Sequence, residues 1–166
     1  RMNDAMVALA DKLWSERAPD LPIKSVHEAV ILASIVEKET GVASERPRVA
    51  AVFINRLRLG MRLQSDPTVV YGLTFGEKPL GHGLTRADLQ SRTPYNTYLI
   101  KGLPPTAIAN PGRAALESVL HPADSKDLYF VADGTGGHAF ARTLKGHNAN
   151  VAKWRRIERA RKKKSN

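Results

Sequence analysis

Glu37, Glu39 and Asp66 are the residues of this 166-residue chain whose types and placement could do chemistry. The chain has no cysteine, which removes thiol nucleophiles, thiolate metal sites and disulfides but does not fix the compartment. His27, His82, His121, His138 and His147 are scattered, with no H-E-x-x-H pattern and no pair at ligand spacing, so no metal site is expected. No G-x-S-x-G sequence marks a serine hydrolase. Carboxylate chemistry remains, and Glu28 and Glu45 are assigned to helix starts. A carboxyl with a raised pKa can protonate a glycosidic oxygen, usually with a second carboxylate as partner. A single acid suffices where the sugar supplies its own nucleophile, because the acid then returns as base for that hydroxyl.

The element that must position the two glutamates is a helix opened by Ser25 and closed by Thr40. Ser25 and Glu28 form an S-x-x-E capping box. Val26, Ala29, Val30, Ala33 and Val36 recur at helical spacing as an apolar face, and Gly41 is a C′ stop. The last turn, Glu37-Lys38-Glu39-Thr40, is unusual because carboxylates are disfavoured at the negative end of a helix dipole. On the helical wheel Glu37 falls near the centre of the apolar face and Glu39 at its edge. A carboxyl at that edge can reach a cleft, where desolvation and the helix end both raise its pKa. The plainer alternative is that both glutamates pair with arginines of the next helix.

Around this helix the chain reads as follows. An amphipathic helix over residues 3–17 turns Met6, Leu9, Leu13 and Trp14 inward, and Pro19 and Pro22 break it. Ser44 is the expected cap of a helix whose inner face is Val49, Val52, Phe53 and Leu57, ending at Gly60. Residues 61–65 alternate like a short strand, Asp66-Pro67 turns the chain, and residues 68–71 make one helical turn. Residues 72–83 form a glycine-containing loop, and residues 85–90 a short capped helix. Tyr95, Asn96, Thr97 and Tyr98 stand together in a stretch of little periodicity. Rings and amides of this kind suit a sugar site, and equally a turn whose tyrosines pack. Asn110-Pro111 opens a helix to Leu120. Residues 128–132 and 138–141 form a β-hairpin whose glycine-rich turn fits no phosphate-binding pattern. Thr143 opens a last helix that enters a basic tail.

The formal charge is +10, and much of it is local: Lys153, Arg155, Arg156, Arg159, Arg161, Lys162, Lys163 and Lys164 crowd the end. Such a cluster can bind an anionic polymer or lipid, or can be a solvated, frayed helix end. Residues 155–166 are expected to be a frayed basic tail. No apolar run reaches the roughly 18 residues of a membrane span.

Four segments carry a resemblance. ILASIVEKETGVASERPRVAAVFINRL, MRLQSDPTVVYG, YNTYLIKGLPPTAIANPG and LYFVADGTGGHAF, in this order, resemble the MltG (YceG-like) family of endolytic murein transglycosylases. The resemblance runs over roughly residues 32–147. It implies that residues 1–166 are a single catalytic domain, a piece lacking an N-terminal membrane anchor and a LysM-like part. It implies a bacterial protein on the periplasmic face of the inner membrane. The activity it implies is cleavage of the β-1,4 bond between N-acetylmuramic acid and N-acetylglucosamine inside peptidoglycan glycan strands. The product would be a 1,6-anhydro-muramyl end, and nascent strands would be terminated beside the peptidoglycan synthases (penicillin-binding proteins). No metal, organic cofactor or nucleic-acid partner is expected.

The second glutamate of E-K-E-T, Glu39, matches the family's catalytic residue. Glu37 is then a structural group, with Arg56 its candidate partner. Gln64, Ser65 and Asp66 match the L-Q-S/T-D-P segment, and Tyr95, Asn96 and Tyr98 the Y-N-T-Y segment. These six are expected around the cleft, binding sugars or orienting Glu39. The fold class expected is α+β: a helical group around the Ser25 helix, packed with a small, mostly antiparallel sheet that includes the hairpin at Asp133. Two rivals stay open, a lysozyme-type muramidase with Asp66 as base for water, and a non-catalytic basic module that binds cell wall or nucleic acid.

Overall fold

A computed structural model describes residues 4–165. Helix α1 (Asp4–Ser15) has Ala10 and Leu13 buried and Met6, Leu9 and Trp14 packed against the core. Its expected beginning at Asn3 lies outside the described residues. Helix α2 (Val26–Glu39) is the centre of the fold, with every residue from Ala29 to Val36 buried. Ser25 Oγ accepts from Glu28 N at 3.1 Å, as a cap should, but the Glu28 carboxylate takes the N–H of Lys24 rather than that of Ser25. The helix ends because Thr40 turns extended (φ −142°, ψ 134°) and its Oγ1 accepts from Val42 N at 3.0 Å. The left-handed stop expected at Gly41 is therefore not used.

Helix α3 (Arg46–Arg58) is entered through a 3-10 turn over Ala43–Glu45, which displaces Ser44 from the cap, and Pro47 sits in its first turn. It closes with a Schellman motif: Gly60 N donates to Leu57 O, Met61 N donates to Arg56 O, and Gly60 takes φ +65°. The strand expected at residues 61–65 does not form, because Gln64 adopts φ +52°, a left-handed conformation that breaks pleating. Helix α4 (Asp66–Thr74) runs beyond the single turn expected there. Gly72 lets the following loop lie directly on it, since a Cβ would meet Thr93 Oγ1 at 2.3 Å. Helix α5 (Arg86–Leu89) has a complete capping box between Thr85 and Asp88.

Helix α6 (Arg113–Leu120) starts after Gly112, not at Asn110-Pro111, and lies against both α2 and α3. Val49, Phe53, Leu116 and Val119 are all at most 1% exposed in this three-helix core, and each is worth about 2 kcal/mol of burial. Strands β1 (Tyr129–Ala132) and β2 (His138–Ala141) pair antiparallel, with Phe130 opposite Phe140 and Ala132 opposite His138. Among the described residues this hairpin is the whole sheet. The fold class is α+β, as expected. Phe53 joins the helical group to the hairpin by an edge-on contact with Phe130 (5.9 Å between centroids).

Helix α7 (Leu144–Lys164) is capped by Thr143 and packs along both strands. Ile157 closes on Gly134, and Arg161 donates to the Gly134 carbonyl. The basic residues 155–164 thus continue a regular helix, while Asn166 lies outside the described residues. Among the described residues no helix is long and apolar enough to cross a membrane.

Candidate active site

Glu39 is the last residue of α2, and it meets the start of α4. Its Oε1 accepts a hydrogen bond from Ser65 Oγ at 2.6 Å. Ser65 is the N-cap residue of α4, yet its hydroxyl makes no cap bond to that helix. The hydroxyl is held toward Glu39 by a buried polar knot beneath it. Ser65 N donates to Thr97 Oγ1 (2.9 Å), and Thr68 N and Oγ1 both donate to Ser65 O (3.2 and 2.7 Å). Thr68 and Thr97 are themselves paired at 2.8 Å and fully buried. The left-handed Gln64 turns the chain into this knot, with Gln64 N donating to Thr97 O at 3.2 Å.

Glu39 is half-buried, at the wall of a cleft. Burial pushes the pKa up to about 7, against the lowering effect of the Ser65 bond. The Asp66 charge adds to the rise, and His138 and Arg56 oppose it. A carboxyl in this range exists in both protonation states near neutral pH, which is what a group acting first as acid and then as base requires.

The carboxyl faces a cleft of about 520 Å³ whose wall includes Arg56, Gln64, Asp66, Tyr98 and His138. Tyr98 donates to Asp66 Oδ1 at 2.5 Å. Burial, then the Asp66 bond and charge, push the Tyr98 phenol well above its ordinary value, so it stays a donor. Arg56 is 6% exposed and engaged with backbone: Nε donates to Leu128 O (2.7 Å), and Nη1 to Arg62 O (3.0 Å) and Leu63 O (3.1 Å). Its guanidinium lies 5.0 Å from the Tyr129 ring centroid. Burial lowers its pKa, and the neighbouring Tyr129, Tyr98 and Glu39 act in the opposite sense. His138 is clamped from the start of α3, because Glu45 Oε1 accepts from His138 N (2.9 Å) and Oε2 contacts Nδ1 (2.7 Å). Glu45 therefore holds the hairpin in place and does not serve a helix start.

The cleft thus brings together four of the seven residues singled out from sequence, Glu39, Gln64, Asp66 and Tyr98, with Ser65 directly behind Glu39. Tyr95 and Asn96 do not line it. Asn96 is fully buried: Nδ2 donates to Leu89 O (3.0 Å) and Ser91 O (2.8 Å), and Oδ1 accepts from Tyr98 N (3.0 Å). Tyr95 packs on Tyr71 at 4.9 Å, with its hydroxyl bonded to Thr106 Oγ1 at 2.7 Å. Glu37 does not pair with Arg56. Its Oε2 accepts from Gly112 N at 2.9 Å, so it serves the positive end of α6. Sequence reasoning gave no site role to His138 or Thr68, and Thr97 stood out only as a member of the Tyr95–Tyr98 group. Nor did it place Arg56 beside Glu39, although an arginine within the apolar stripe of α3 was a usable signal. Among the described residues no group of three or more histidine, aspartate or glutamate side chains is arranged to hold a metal ion.

A model of the YceG-like family matches residues 1–153. An endolytic murein transglycosylase of Bacillus subtilis (strain 168) is 42% identical over 130 residues, which is 78% of this chain and 35% of that protein. An endolytic murein transglycosylase of Streptococcus pneumoniae serotype 2 (strain D39) is 36% identical over 157 residues, 90% of this chain and 28% of that protein. The chain therefore spans about a third of the length of these curated relatives. The crystal structure of a YceG-like protein from Listeria monocytogenes superposes with a TM-score of 0.76 at 39% identity, over 88% of this chain and 45% of that one.

Proposed function

The chain belongs to the YceG-like family, and on that footing we propose that it is the catalytic region of an endolytic murein transglycosylase acting through Glu39. The observation that carries this reading is the Glu39 carboxyl at a cleft wall, bonded by Ser65 and raised by burial to a pKa of about 7. The relatives named endolytic murein transglycosylase support the substrate class.

The chemistry runs in two steps on one carboxyl. Protonated Glu39 donates to the oxygen of the β-1,4 bond that links N-acetylmuramic acid to N-acetylglucosamine. The muramyl C1–O bond breaks, and N-acetylglucosamine leaves as a hydroxyl. The resulting carboxylate takes the proton of the muramyl C6 hydroxyl while that oxygen bonds C1. A 1,6-anhydro-muramyl end forms, no water is consumed, and Glu39 is again an acid. No metal or organic cofactor enters. Ser65 orients Oε1, so that Oε2 is the oxygen that carries the transferred proton. Gln64, Asp66 and Tyr98 are the cleft groups placed to meet the sugars, and Tyr95 and Asn96 brace the loop that carries Tyr98. In this reading the region works on the periplasmic face of the bacterial inner membrane, beside peptidoglycan synthases, and ends nascent strands.

Asp66 lines the same cleft as Glu39, which gives hydrolysis a definite form: Asp66 would activate a water. Digestion of purified glycan strands in ¹⁸O-water separates the two. Unlabelled anhydro ends support the transglycosylase, and labelled reducing ends support a muramidase.

A further inference from the structure

A second cavity of about 420 Å³ adjoins the first, and Asp66 lines both. The boundary between them is built from two short stretches. At the end of α2, Lys38 faces the second cavity and Glu39 the first; at the start of α4, Asp66 borders both and Pro67 the second. The acid thus lines the first cavity one residue away from the lysine that lines the second, a placement that suits a polymer continuing past the broken bond.

The second cavity has a different character from the first. Val70, Tyr71 and Ile108 give its lining an apolar part, and Lys38 and Lys78 line it as well. Both lysines are exposed, and neither forms an ion pair among the described residues. The single carboxylate on this wall, Asp66, has Oδ1 held by Tyr98 on the side of the first cavity. The cavity thus offers an apolar surface for a sugar or side-chain face and an excess of uncommitted positive charge. Two uncommitted ammonium groups favour a carboxylate-bearing saccharide over a neutral one, because charge-assisted bonds are the stronger.

We propose that this second cavity is a strand-binding subsite that holds a carboxylate of the glycan strand between Lys38 and Lys78. The subsite rests on the glycan-cleaving reading above and specifies which part of the strand is recognised. The carboxylate has two sources, the lactyl group of a bare muramyl unit or the carboxylates of an attached stem peptide.

The test uses Glu39→Gln as a binding form that does not cleave, titrated with three preparations of one strand length: peptide-bearing strands, peptide-free strands, and peptide-free strands whose carboxylates are converted to primary amides. The same titrations are repeated with Lys38→Gln and Lys78→Gln added, and wild type is assayed for cleavage of each preparation. The lysine pair is expected to account for about a tenfold difference in affinity for a carboxylate-bearing preparation, the scale of one or two charge-assisted contacts, with no effect on the amidated strands. An effect on peptide-bearing strands alone identifies the stem peptide as source, and an effect on peptide-free strands identifies the lactyl group. Equal weakening of all three preparations, or of none, while wild type cleaves them, overturns the subsite and leaves the catalytic reading standing. Absence of both binding and cleavage on every preparation overturns the two together.

Discussion

Ser65 Oγ donates to Glu39 Oε1 at 2.6 Å, across the junction between the end of one helix and the start of another. A serine at a helix N-cap normally bonds that helix's own free N–H groups, for about 1 kcal/mol. Here that bond is absent, and the hydroxyl faces the carboxyl instead. The local rule for stability is broken at the one place where the carboxyl needs a fixed orientation.

Ser65→Ala tests this orientation. The Ser65 bond favours the ionised carboxyl, so its loss moves the Glu39 pKa above about 7. The alkaline limb of the kcat/KM profile then shifts to higher pH, and kcat falls by about tenfold, within the range of one positioning interaction. A fall in kcat with an unmoved limb would make Ser65 a packing residue only.

Glu39 also makes stability depend on pH. Its folded pKa is raised from 4.5 to about 7, so the folded state holds this proton more tightly than the unfolded state. The contribution is complete below about pH 4.5 and is lost as pH rises through about 7. Glu39→Gln removes the cost of ionising a buried carboxyl. Denaturant melts at pH 5 and pH 8 are expected to show the variant gaining on wild type by about 2 kcal/mol at the higher pH, under the roughly 3 kcal/mol ceiling of such a shift. A constant difference would mean that the carboxyl is solvated.

Glu37 is expected to act on stability and not on catalysis. Its carboxylate accepts from Gly112 N at 2.9 Å and faces the positive end of α6. Glu37→Ala is expected to cost about 1–2 kcal/mol in a chemical melt, and Glu37→Gln less, because an amide oxygen still accepts the bond. The specific activity of the folded fraction is expected to stay at wild-type level in both. Loss of activity without loss of stability would reverse the roles of the two glutamates.

Asn96 separates scaffold from binding. Asn96→Ala leaves the Leu89 carbonyl and the Tyr98 N–H without their side-chain partner, while the Ser91 carbonyl keeps the N–H of Thr93. A loss of about 2–3 kcal/mol in stability follows, with KM of the folded protein little changed. A raised KM at unchanged Tm would show that Asn96 meets the sugar after all.

What the sequence made legible is mostly what is local. The Ser25 cap, the Gly60 stop, the Thr85 and Thr143 starts and the hairpin turn all depend on residues a few positions apart. The edge position of Glu39 follows from helical period alone. Residues 61–65 misled because alternation predicts a strand, while one left-handed residue, Gln64, cancels it. The setting of Glu39 was harder to read because its partners are distant in sequence: Ser65 lies 26 positions away, and Glu45 reaches His138 across 93. Asn96 shows the same limit. An amide in a tyrosine-rich loop reads equally as a sugar ligand or a backbone brace, and only the fold reveals which carbonyls surround it.

In the proposed mechanism Glu39 alone serves as acid and base. Its most direct test is mass spectrometry of products from purified glycan strands digested by wild type and by Glu39→Gln, with circular dichroism confirming that both are folded. Wild type is expected to give anhydro-muramyl ends and the variant no products. Anhydro-muramyl ends released by folded Glu39→Gln at a comparable rate would contradict this role of Glu39.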